Sequence, residues 1–129
     1  MRVYILVVFL LVFPLLSCVE NNRYSLPEGY KVWVMNSKEV YLSDKNNELL
    51  VGPSLKEIGL SKNYIVTYSG PVDAEYVGYL KTKNYSVLDL QTKILMTDLS
   101  EQDARDFLSK HGDVYPKMLS FNEYNIVDQ

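Results

Sequence analysis

Asn63-Tyr64-Ile65-Val66-Thr67-Tyr68-Ser69 is the stretch that decides the fold class. β-branched and aromatic side chains fit a pleated, half-buried surface, and this run carries little else. It reads as a strand bounded by Ser61-Lys62 before it and Gly70-Pro71 after it. Tyr85 to Leu90 (YSVLDL) and Lys93 to Met96 (KILM) repeat the pattern around Gln91-Thr92, which predicts a hairpin. Leu55 to Leu60 (LKEIGL) reads as a further strand, with one helical turn as the alternative. Tyr76 to Leu80 (YVGYL) alternates like an edge strand, weakened by Gly78. Gly70 to Glu75 reads as a loop and Lys81 to Asn84 as a turn.

Toward the N-terminus the same logic gives three more strands. Tyr30 to Met35 (YKVWVM) places Tyr30, Val32 and Val34 on one face and Lys31, Trp33 and Met35 on the other. Glu39 to Ser43 and Glu48 to Val51 follow, separated by Asp44-Lys45-Asn46-Asn47, a turn built from residues that tolerate left-handed backbone. Leu26-Pro27-Glu28-Gly29 makes the entrance, and Gly52-Pro53 breaks the series. Toward the C-terminus, Ser100-Glu101-Gln102-Asp103 resembles a capping box. Ala104, Phe107 and Leu108 then form an apolar stripe at helical spacing, and Gly112 ends the helix. A short strand near Met118 to Phe121 is the last expected element. The fold class that follows is α+β: an antiparallel β-sheet meander with one C-terminal α-helix packed on it.

The first eighteen residues carry a different signal. Arg2 precedes the apolar run Val3 to Leu16, which ends in Leu15-Leu16-Ser17-Cys18. The run is shorter than the roughly 20 residues of a bilayer-crossing helix and matches a signal-peptide apolar region of about 7–15 residues. Leu-Leu-Ser-Cys resembles the lipobox of bacterial lipoproteins. The expected organisation is a signal peptide at 1–17, a lipidated Cys18 with a short tether at 18–25, and a single globular domain at 26–129. Alternatives are an uncleaved signal anchor, cleavage near Ser17 without lipidation, and a buried N-terminal helix. Cys18 is the sole cysteine, so an exported chain has no internal disulfide partner for it. A diacylglycerol thioether would consume that thiol. The tether Val19 to Ser25 spans at most about 25 Å when extended, which keeps the domain close to its membrane.

Charge and composition bound the partners. The chain has 13 basic and 16 acidic side chains, net −3, and loss of Arg2 makes the mature chain one unit more acidic. An acidic domain does not favour nucleic acid or anionic lipid, so membrane attachment is expected through the lipid on Cys18 and not through the domain surface. Eleven tyrosines, all but Tyr4 in the mature chain, suit sheet packing first and a binding face second. Tyr41, Tyr68 and Tyr79 are the candidates for partner binding.

The motifs Tyr24-Ser25-Leu26-Pro27-Glu28-Gly29-Tyr30, Val51-Gly52-Pro53, Ile58-Gly59, Tyr64-Ile65-Val66 and Tyr85 to Lys93 (YSVLDLQTK), closing on Leu99-Ser100-Glu101, occur in an order that resembles a family of small bacterial lipoproteins of unknown function. That family shares a lipobox, a P-x-G-Y entrance, a GP break and an LD-x-x-T-x hairpin. The resemblance covers Tyr24 to Leu108. It implies a lipid-anchored extracytoplasmic domain and no activity. On the residues themselves, Gly29 and Gly52 read as positions of positive φ or close approach, and Asp89 and Thr92 as makers of side-chain-to-backbone bonds.

No catalytic residue and no cofactor are expected. His111 is the sole histidine and falls at the helix C-terminus, where it complements the dipole or faces solvent. Zinc takes several His or Cys ligands, and Asp44 to Glu48 lacks the spacing of a calcium loop. No G-x-S-x-G elbow or glycine-rich phosphate loop is present. The expected function is a membrane-anchored binding module of the bacterial envelope, in one version immunity-like, whose partner is another envelope or secreted protein. An accessory subunit of an envelope complex and an envelope hydrolase are the alternatives. Val19 after the cysteine, where aspartate is associated with inner-membrane retention, favours the outer membrane if the organism has two.

Overall fold

The computed structural model describes residues 23–36 and 38–120. The expected signal peptide, Cys18 and the chain up to Asn22 lie outside the described residues, as does the end of the last expected strand at Phe121. The strands are β1 (Arg23–Ser25), β2 (Lys31–Asn36), β3 (Glu39–Ser43), β4 (Leu49–Val51), β5 (Leu55–Leu60), β6 (Tyr64–Ser69), β7 (Asn84–Asp89), β8 (Leu95–Leu99) and β9 (Leu119–Ser120). The helix α1 spans Glu101–Lys110, and a 3₁₀ turn occupies Pro27–Gly29.

The α+β class holds, with antiparallel meanders and one helix packed on a sheet. The strands divide into two sheets, in the orders β1-β2-β3-β4 and β8-β7-β6-β5-β9. Gly52-Pro53 marks the division. Gly52 has φ 147° and no room for a Cβ, which would overlap the Tyr41 ring and the Val40 carbonyl. The chain therefore turns out of the first sheet after β4 and begins β5 in the second. A hydrogen bond of 2.7 Å from the Val40 amide to the Pro53 carbonyl keeps the two sheets joined at this corner.

Alternation along the strands then builds two apolar layers. Val32, Val40, Leu42 and Val51 of the first sheet meet Leu55, Ile58, Ile65 and Leu88 of the second in one buried cluster. The opposite face of the second sheet presents Tyr64, Val66 and Val87 to Ala104 and Leu108 of α1. The molecule is thus layered sheet, sheet, helix, and the second sheet is covered on both faces. This explains why β6 is buried at nearly every position and not only at alternate ones.

Local signals hold the ends of the elements. Ser100 Oγ accepts from the Asp103 amide at 3.0 Å, the N-cap half of the expected box. At the other end Gly112 (φ 72°) donates to Ser109 and Asp113 donates to Leu108, which is a Schellman closure. Asp89 Oδ1 accepts from the amides of Gln91 and Thr92 at 2.8 and 3.1 Å, and Thr92 Oγ1 from that of Ile94 at 3.3 Å. Asp44 does the same for Asn46 and Glu48 in the β3–β4 turn.

Three expectations are corrected. The tether was expected to run to Ser25, but Arg23–Ser25 forms β1 and pairs with Lys31 to Trp33. Tyr24, opposite Val32, packs against the inter-sheet core, and that burial recruits a segment that looks polar in sequence. Tyr76 to Leu80 is irregular and pairs with no strand. Its alternation has no partner strand to satisfy, and Gly78 adds no side chain to anchor it. The second arm of the β7–β8 hairpin is displaced: β8 begins at Leu95 and runs to Leu99, because Lys93 (φ 66°) belongs to the turn.

Candidate binding site

The segment from Gly70 to Lys83, between β6 and β7, forms a loop fastened at both stems to one tripeptide. At its start the Gly70 amide donates to the Ser54 carbonyl (2.9 Å) and Ser54 Oγ donates to the Pro71 carbonyl (2.8 Å). At its end the Thr82 amide donates to the Gly52 carbonyl (2.9 Å), and the Gly52 amide donates to Thr82 Oγ1 (2.8 Å). Inside the loop Asp73 makes a turn, accepting from the Glu75 amide on its side chain and from the Tyr76 amide on its carbonyl.

Between this loop and the β2–β3 hairpin lies a groove of about 480 Å³. Its floor is Tyr41, with Glu39 and Asn36 on one wall and Tyr76 to Gly78 on the other. Asn36 Nδ2 donates to Glu39 Oε2 at 2.9 Å, and the Tyr41 hydroxyl donates to Glu39 Oε1 at 3.1 Å. The hydroxyls of Tyr41 and Tyr76 share a hydrogen bond of 3.3 Å. Burial, followed by the bonds to Tyr76 and Glu39, pushes the Tyr41 hydroxyl well above the ordinary phenol range. It keeps its proton at neutral pH and acts there as a fixed donor. Lys38 crosses the mouth to Asp73 at 3.3 Å. The Glu75 amide and then Lys38 hold the Asp73 carboxyl below its usual value. A smaller cavity of about 260 Å³ continues the groove past Lys38 and Asp73 toward Ser54 and Lys56.

The loop carries large apolar side chains left in solvent. Val77 is 98% exposed and Tyr79 100% exposed. An aromatic and a β-branched residue left in water on a loop whose stem is hydrogen-bonded to Gly52 and Ser54 are suited to burial against a partner, since such side chains supply contact area at low entropic cost.

The three tyrosines named from sequence are not brought together. Tyr79 is at the loop tip. Tyr68 lies on the helix-facing side of the second sheet, half-buried, with its ring 4.9 Å from that of Tyr85. Tyr41 was expected to be exposed and is not: it is 5% exposed, because Gly52 packs on its ring and Tyr76 meets its hydroxyl. Sequence reasoning missed Val77 and Tyr76, having assigned both to a strand. The signal that could have found them was Asp73 after Pro71, a turn former that keeps the following residues out of a ladder.

His111 Nδ1 lies 2.8 Å from the Phe107 carbonyl and its ring stacks at 4.1 Å on Phe107, so the histidine caps the helix. Among the described residues no cluster of His, Cys, Asp and Glu is arranged to hold a metal ion, and no helix is long and apolar enough to cross a membrane. Comparison of the chain with family models, with curated proteins and with solved structures finds no match in any of the three.

Proposed function

We propose that this chain is a lipoprotein of the bacterial envelope, anchored through Cys18, whose extracytoplasmic domain works by capturing another envelope or secreted protein. The observation that carries the reading is the braced loop with Val77 and Tyr79 fully in solvent. The groove beside it supplies carboxylates at Glu39, Asp73 and Glu75 against a single lysine, Lys38. That balance favours a partner segment with basic or hydrogen-bond-donating side chains next to an apolar one. The outer membrane is the proposed site in an organism with two membranes.

Two measurements test the two halves. Cys18→Ser is expected to abolish fatty-acid labelling and release the domain from membranes; unchanged labelling defeats the lipoprotein reading. A photo-crosslinking residue placed at the exposed Lys81, in intact cells, is expected to trap one protein species, and Tyr79→Ser with Val77→Ser is expected to lose it. An identical crosslinked species in wild type and double variant defeats the loop as the contact.

A further inference from the structure

We propose that the β1 side of the first sheet's outer face rests on the lipid surface that holds the N-terminal anchor. The proposal depends on the lipidation of Cys18 proposed above. Only residues 19–22 separate Cys18 from β1, so even a fully extended chain lets Arg23 stand no more than about 18 Å from the lipidated sulfur. β1 is the edge strand of the sheet order β1-β2-β3-β4. The anchor therefore draws in this edge and not the β4 edge, where the loop is fastened at Gly52.

The face at that edge has the chemistry of a membrane interface. Register places Arg23 opposite Trp33 and Ser25 opposite Lys31, all on the side away from the inter-sheet core. The Arg23 guanidinium lies 3.8 Å over the Trp33 ring. The indole nitrogen donates to Ser43 Oγ at 2.7 Å, so its polar edge is already satisfied. Met35, two residues on along the same face, is 48% exposed. Tryptophan and long cationic side chains are the residues that settle at the head-group level, ring and stem toward the acyl chains and charge toward phosphate.

Charge divides the face in the same sense. The chain as a whole is acidic, net −3, which by itself predicts no attraction to lipid. Yet Arg23 stands at the β1 edge with Lys31 beside it on β2, whose ammonium reaches Asn47 at 3.0 Å, and Arg23 makes no ion pair among the described residues. Glu39, Asp73 and Glu75 gather around the groove on the β3 side, with Lys38 paired to Asp73, so the groove stays net acidic. An anionic leaflet attracts the first pair and repels the second set. The domain is seated tilted, β1 down; Trp33 lies opposite Tyr41 in register, so the groove begins beside the lipid-facing patch and opens away from the β1 edge.

Trp33 is the sole tryptophan, so its fluorescence reads the proposal directly. The full chain, processed by a bacterial host, is reconstituted into phosphatidylethanolamine–phosphatidylglycerol vesicles whose acyl chains are brominated near the head group. Flotation with the vesicles is measured first. Flotation with loss of Trp33 emission, and with reduced quenching by aqueous acrylamide, is the expected result. Flotation with unquenched, acrylamide-accessible Trp33 overturns the seating and leaves the anchor intact; failure to float overturns the anchor and the seating together. Arg23→Glu with Lys31→Glu is expected to float and to regain emission, while Lys110→Glu on the helix leaves it quenched. Full quenching in the double variant overturns the electrostatic orientation.

Discussion

Asp113 ties the end of the helix to the second sheet, and removing its carboxylate should loosen that corner measurably. Its Oδ2 accepts from Ser61 Oγ at 3.0 Å and from the Asn63 amide at 3.2 Å, both in the β5–β6 turn, and its Oδ1 accepts from the Val114 amide at 2.7 Å. Burial alone would raise its pKa. The Val114 amide, the Ser61 hydroxyl and the amides of Asn63 and Lys62 outweigh it and hold the carboxyl below its ordinary value. A hydrogen bond to a charged group contributes about 1.5–3 kcal/mol. The site is partly open to water, so the two long-range bonds together count for roughly 2–3 kcal/mol in Asp113→Ala. Asp113→Asn keeps an acceptor and should lose about 1 kcal/mol. Thermal unfolding of residues 19–129 should then show a midpoint lower by about 8–24 °C for the alanine variant, at roughly 4–8 °C per kcal/mol for a domain of this size. The pH dependence carries a sign. A folded pKa below the unfolded one gives stability that is present above about pH 4 and lost as pH falls through the folded value. Wild type should therefore lose more stability on acidification than Asp113→Asn, and the two should converge at low pH. An alanine variant within about 0.5 kcal/mol of wild type, or parallel pH profiles for wild type and Asp113→Asn, would refute the reasoning.

Three other perturbations probe the layers. Leu108→Ala removes a fully buried side chain between helix and sheet and should cost about 2.7–5 kcal/mol by urea denaturation. Gly52→Ala forces a Cβ into the Tyr41 ring and should cost about 1–3 kcal/mol; since Gly52 also holds Thr82, proteolysis within 71–82 should quicken. Ser100→Ala removes the acceptor for the Asp103 amide and should cost about 0.5–2 kcal/mol, seen as a lower midpoint with an unchanged urea slope.

Most elements were legible because their signals are local. The β-branched and aromatic run at Tyr64–Ser69, the Asp44 and Asp89 turns and the Ser100 cap each depend on residues within a few positions of one another. What stayed hidden depends on contacts far apart in sequence. The partition into two sheets follows from the corner at Gly52-Pro53, which reads as a break but does not say which strands lie beyond it. β1 exists because Tyr24 finds the inter-sheet core, a fact about Val32 and its neighbours and not about the polar residues around Tyr24. For the candidate site the alternation of β3 correctly sets Tyr41 opposite to Val40 and Leu42. Its burial comes from Gly52 against its ring and from Tyr76, thirty-five positions later, at its hydroxyl, and no local pattern announces that. Tyr79 was named from sequence as one tyrosine among many; only the loop's geometry separates it from Tyr68.

The Gly70 to Lys83 loop leaves the fold and rejoins it at Gly52-Pro53-Ser54, so its tip and its roots answer to different demands. Substitutions at positions 77 to 80 need not disturb the sheets, because the hydrogen bonds that hold the roots come from Gly70, Pro71 and Thr82 and the contact with Tyr41 comes from Tyr76. Such an arrangement lets recognition drift while the scaffold stays constant. Chains that kept the corner and the Thr82 clasp could carry unlike tips and pursue unlike partners. By the same reasoning a foreign peptide grafted between Tyr76 and Lys81 would be displayed from a framework that does not need to relearn how to fold.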